Sequence, residues 1–133
     1  MVNKIVHVII GSFFLASGLS LLFKIAFNSR IGYLFIVFFA LIAYLLSSQE
    51  SVKHVWRRTF IFLSVESFLM PLAGVFGVLN SNAIKSGEFA NVIGGLFAGG
   101  VMVVILGITG LVLGIVFLLI GLLVFRIPQN KNK

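Results

Sequence analysis

One carboxyl stands inside an otherwise apolar tract of this chain. Glu66 lies in the run 59–79, seven residues in and so about 10 Å below the inner boundary of a membrane helix that starts near Thr59. Insertion scales assign roughly 2.5–3.5 kcal/mol to an acidic residue at a helix centre, so Glu66 must be neutral, hydrogen-bonded inside the protein or in contact with water. Ser64 and Ser67 are its neighbours. Pro71 lacks an N–H and frees the carbonyl of Ser67 as a further acceptor. Such a group suits a proton or cation site. The simpler alternative is a neutral glutamic acid that fastens helices together.

His7 is the other titratable group expected at a comparable depth, on the same inner side. A pair with Glu66 would favour imidazolium and carboxylate together and make a pH-sensitive contact. Against the pair, a lone His near a helix end is commonly interfacial or bonded to backbone. His7 and His54 make a weak pair of haem ligands, because His54 sits amid Lys53, Arg57 and Arg58. No cofactor and no metal are expected, and no catalytic residue is assigned. The chain has no Cys, which excludes disulfides, thiolate nucleophiles and cysteine-ligated metals. Walker, HExxH and GxSxG motifs are missing, as are paired acids at helical spacing. Gly94-Gly95 and Gly99-Gly100 lack a following Lys and are too apolar in context to cradle phosphate. Serines, one membrane His and one Glu make no convincing catalytic set.

The elements that must position Glu66 follow from composition. Of 133 residues, 60% are hydrophobic and 10% charged, and the mean hydropathy is +1.21, values far from those of a water-soluble domain. The net charge of +7 does not point to nucleic acid, since the ten Lys and Arg border apolar runs instead of forming a stripe. An all-α polytopic integral membrane protein is expected, with one domain over residues 1–127 and a polar tail over 128–133.

About 20 apolar residues cross the hydrocarbon of a bilayer, and four stretches approach or exceed this length: 5–27, 31–48, 59–79 and the long tract 89–125. As one helix the last tract would span about 55 Å. Gly94, Gly95, Gly99 and Gly100 crowd near its start, and glycine weakens a helix by about 1 kcal/mol per position. A Gly-rich break is therefore expected there, with the spanning helix over 101–125. Residues 89–100 would be interfacial, re-entrant or an extension of a tilted helix. The first stretch is expected to stay as a helix; a signal peptide ending at Ala16-Ser17-Gly18 would have a shorter apolar region.

Four spans put both termini on one side. Lys4, Lys53, Arg57, Arg58, Arg126, Lys131 and Lys133 lie on one side against Lys24, Arg30 and Lys85 on the other, which predicts both termini in the cytoplasm of a multi-pass protein of the plasma (inner) membrane. Trp56 and Tyr44 would mark the inner interface and Tyr33 the outer one, with Lys24 snorkelling outward. The loop 47–58 would present Lys53, Arg57 and Arg58 to lipid headgroups.

Glycine spacing supplies the second strong feature. Gly100, Gly107, Gly114 and Gly121 recur every seven residues, and Gly110 with Gly114 forms a GxxxG. In lipid, close backbone approach along such a face drives helix association. A matching face is expected on the first helix at Ser12, Ala16 and Ser20, and the third offers Gly74 and Gly77. Ile105, Val112, Phe117 and Leu119 would then face lipid. The expected function is that of a small non-enzymatic integral membrane protein, an accessory or interaction subunit that packs through glycine-rich faces. Its partners would be the bilayer and a second copy or another membrane protein, with no nucleic acid. The alternative is an oligomeric channel or proton/cation-coupled transporter using Glu66, whose polar path Ser64, Ser67 and the serines of the first helix supply only in part.

Overall fold

The structure is a computed structural model and describes residues 2–27, 31–81 and 89–125. All secondary structure in these segments is helical: α1 (Val2–Phe27), α2 (Ile31–Ser47), α3 (Val52–Leu79) and α4 (Phe89–Leu119), the last continued by a π-helical turn, Ile120–Val124. Three of the helices are long and apolar enough to cross a membrane, whereas α2, with 17 residues, is shorter. Helices satisfy their backbone groups internally, which is what an apolar surrounding requires.

Polar side chains sit where helix ends leave backbone groups free. At the end of α2, Ser47 Oγ donates to the Tyr44 carbonyl at 2.7 Å and Ser48 Oγ to that of Leu45 at 2.8 Å. Lys4 Nζ reaches across from α1 to donate to the Ser47 carbonyl at 2.9 Å. Ser51 caps α3, its Oγ accepting from the His54 backbone N–H at 3.4 Å and lying 2.7 Å from His54 Nδ1. Beyond the other end of α3, Asn80 Nδ2 donates to the Ala26 carbonyl near the end of α1, at 3.2 Å.

The four helices form a row, in the order α2, α1, α3, α4. Only successive members of that order share extensive interfaces, and α2 barely touches α3. The four-helix arrangement is thus an open one, in which the two outer helices each have one main neighbour. Contacts along α1 and α3 rise together, from His7 with Trp56 through Gly11 with Thr59 to Ile25 with Gly77, so the two helices are parallel. Helix α4 is antiparallel to α3, since Gly99 meets Val78 and Gly121 meets Phe60 and Ile61. The core follows the seam between α1 and α3: Val8, Leu15, Leu46 and Val55 form one cluster, and Leu22, Ala26 and Ala73 another.

Three expectations require correction. The break at Gly94, Gly95, Gly99 and Gly100 does not occur, because α4 runs unbroken through all four. Several glycines cost about 1 kcal/mol each, but an interrupted helix strands backbone N–H and C=O groups at several kcal/mol each in hydrocarbon, so continuity wins. Next, α3 begins at Val52 instead of Thr59, so Lys53, Arg57 and Arg58 lie on a helix and not in a loop. Finally, Phe117 packs against Phe60 with ring centroids 6.1 Å apart and is not a purely outward residue. Ile105, Val112 and Leu119 are exposed. The tail 128–133 and the basic residues Arg30, Lys85, Arg126, Lys131 and Lys133 lie outside the described residues.

Candidate functional site: a carboxyl beneath an apolar groove

With α3 starting at Val52, Glu66 lies halfway along the helix, about 20 Å from either end at 1.5 Å per residue. It is 7% exposed, and its Oε2 has no hydrogen-bond partner among the described residues. That oxygen packs against the backbone of Gly18 on α1, where any Cβ would overlap it. Gly18 is therefore what lets the carboxyl lie flat in the α1–α3 seam. Ser67 does not serve Glu66, since its Oγ donates to the Leu63 carbonyl of its own helix at 2.8 Å. Ser64 is buried beside it in sequence, with no hydrogen bond to the carboxyl.

Because α2 leans on α1 and leaves α3, a groove of about 300 Å³ opens between the three helices. Leu15 and Leu46, both buried, lie deep in it, while Leu41, Leu45 and Phe62 are exposed at its rim. Eight of its nine lining side chains are Leu, Ile or Phe, and the ninth is Glu66. Chemically the site is a single acceptor group under an apolar wall.

The expected pair of His7 with Glu66 is not formed. In the parallel α1–α3 arrangement Glu66 comes level with Gly18, about 16 Å along α1 from His7 at 1.5 Å per residue. His7 Nδ1 instead accepts from Trp56 Nε1–H at 3.1 Å, the rings meeting edge to face at 5.8 Å. Trp56 continues into Phe60, which stacks on Phe125 at 5.6 Å, so an aromatic belt ties α1, α3 and the end of α4 together. Lys4, Lys53, Arg57 and Arg58 share this end, with Lys53 and Arg58 exposed and the buried Nε of Arg57 unpartnered among the described residues. Lys24 and Tyr33 lie toward the opposite one. Trp56 is the sole tryptophan, which gives a direct test. His7→Ala should shift its emission to the red and cost about 1 kcal/mol of stability for the lost bond, whereas Glu66→Gln should leave the emission unchanged.

Gly99, Gly107, Gly110 and Gly114 of α4 face α3. A Cβ at Gly110 would meet the Ser67 carbonyl, the one that Pro71 leaves without a helical donor, and a Cβ at Gly114 would come within 2.7 Å of the Phe68 ring. A Cβ at Gly121 would come within 3.2–3.4 Å of Ile61, Phe60 and the Arg57 carbonyl, and one at Gly107 would lie at an ordinary 3.8 Å from Pro71. A Cβ at Gly100 would meet nothing within 4 Å. On α3, Gly74 faces Leu106 and Val103 of α4, whereas Gly77 faces the Ile25 carbonyl of α1. Ser12, Ala16 and Ser20 are fully buried, but on a helix whose partners are α2 and α3, so the expected match between this face and the glycines of the last helix is replaced by α3 against α4.

No protein-family model, no curated protein and no solved structure matches this chain. Gly18, Leu19, Phe38, Leu41 and Phe62 join Glu66 at the site without having been expected there. Their role comes from the register of α1 against α3 and the placement of α2 on α1, which no local pattern announces.

Proposed function

We propose that this chain is a small non-enzymatic protein that crosses the plasma (inner) membrane four times, keeps both termini in the cytoplasm and acts as an accessory or interaction subunit. The observation that carries the reading is the open row: among the described residues α4 packs mainly on α3, and outward residues such as Ile108, 64% exposed, and Leu111 are left uncovered by them. Closed four-helix sets bury each member against two neighbours. Here another transmembrane helix, from a second copy or a different protein, would complete the layer.

The even number of crossings rests on direction. Parallel α1 and α3 require the chain to return between them, and α2 is the element that does so; its 17 residues reach about 25 Å, near the lower limit for a span. Lys4, Lys53, Arg57 and Arg58 at one end favour that end as cytoplasmic. The apolar lining of the groove speaks against a water-filled pore through one chain.

Because the sequence contains no cysteine, reporters can be placed one at a time. Asn3→Cys and Asn130→Cys should both resist an impermeant thiol reagent in intact cells. Ile108→Cys and Leu111→Cys should cross-link in the membrane into a species of defined mass, more efficiently than Val37→Cys on the outer face of α2. Outside labelling of either terminus reverses the topology, and α4 reporters that cross-link no better than Val37→Cys remove the interaction role.

A further inference from the structure

We propose that the groove between α1, α2 and α3 is a binding site for a small lipophilic amine, which enters from the hydrocarbon of the membrane and pairs its nitrogen with Glu66. The proposal is independent of any partner at α4, on the other side of α3.

Access comes first. Leu41, Leu45 and Phe62 at the rim are each about half exposed (56%, 48% and 50%), and Glu66 lies midway along α3, so the groove opens sideways at the depth of the acyl chains. Only a solute that dissolves in hydrocarbon reaches it. Size follows from the volume: an engineered apolar cavity of about 150 Å³ holds one benzene, and about 300 Å³ suits a body of two fused rings or an equivalent aliphatic group.

The head group follows from what the chain leaves undone. Glu66 lines the groove and is more than nine-tenths buried; its Oε2, which rests against Gly18, lacks a donor and turns toward the groove when the carboxyl rotates about its last bond, and no cationic side chain among the described residues reaches it. Buried polar groups normally have partners, and an unmade bond is destabilising. An acyl chain can fill the volume but leaves this acceptor as it was. An amine supplies an N–H to a carboxylate, or accepts the proton of a carboxylic acid, and as an ammonium it also brings the counter-charge that a low-dielectric site rewards most. A hydroxyl compound of equal size brings no counter-charge, which ranks it second.

The test uses the purified chain in phosphatidylcholine nanodiscs, with empty nanodiscs to subtract partitioning. Equilibrium dialysis would compare 1-naphthylmethylamine with 1-naphthalenemethanol, which differs only in its head. The expected result is one saturable equivalent of amine per chain, with the alcohol at least tenfold weaker. Glu66→Gln should weaken the amine at least tenfold, and Leu41→Trp, which fills the rim without touching the carboxyl, should block it. Leu41 is half exposed at the rim, so that variant keeps the question open to refutation even if Glu66→Gln fails to fold. Purely linear uptake equal to that of empty discs, equal binding of amine and alcohol, full binding by a folded Glu66→Gln protein, or full binding by Leu41→Trp would each overturn the proposal.

Discussion

Gly110→Leu should be the most damaging single substitution in the last helix, lowering stability by about 3 kcal/mol, the upper end for overpacking a tight contact. The obstacle is the Ser67 carbonyl, a backbone atom that cannot swing aside without moving α3 itself. Gly114→Leu should be milder although its neighbour is as close, because Phe68 is exposed and its ring can turn outward. Gly100→Ala should reverse the sign: with nothing within 4 Å, the gain in helix propensity of roughly 0.5–1 kcal/mol is unopposed. Denaturant titration in detergent micelles, followed by Trp56 emission and far-UV circular dichroism, ranks the three. Equal losses at positions 100 and 110 would mean that α4 does not present this face to α3.

Gly77→Ala is expected to produce the second large effect, about 2 kcal/mol, at the other interface of α3. Its Cβ would strike the Ile25 carbonyl, one of the last carbonyls of α1, and the displacement would also stretch the bond from Asn80 Nδ2 to the Ala26 carbonyl. Asn80→Ala alone should cost about 1 kcal/mol. Because Asn80 and Gly77 hold the same helix end, their double variant should cost less than the sum of the single ones. Gly77→Ala with Gly110→Leu, acting on separate seams, should add within about 0.5 kcal/mol. The same unfolding titration measures both cycles. Additivity in the first pair would show that the two contacts are not coupled through α1.

How far the sequence revealed this arrangement depends on the kind of information each feature needs. Helices α1 and α2 are legible because the length of an apolar run is a local quantity, and the bounds expected for them differ from those found by at most three residues. The start of α3 was obscured by its composition. Val52 to Arg58 is polar enough to resemble a loop, yet a helix that projects beyond the hydrocarbon has no need of apolar residues, and Ser51 three residues before His54 is an ordinary N-cap signal. At Gly94 to Gly100 the propensity of single residues points to a break, but the larger cost of opening a backbone in lipid overrides it. Glu66 is legible because a carboxyl in an apolar run is costly wherever it lies. Gly18 is not, since one glycine among several acquires meaning only when a particular turn of α3 arrives beside it. Likewise the spacing of the α4 glycines marks a close contact but carries no record of which helix makes it.

The row also divides the molecule mechanically. Helices α2 and α4 are each fastened along essentially one seam, whereas α1 and α3 are gripped from both sides and share both core clusters. An end member of such a row can detach without breaking the central pair, so resistance to unfolding is graded from the middle outward, not lost in one cooperative step. Lateral stress in the bilayer would therefore be relieved by partial release of α2 or α4, and α2, with the shortest span, would widen the groove above Glu66 as it moved.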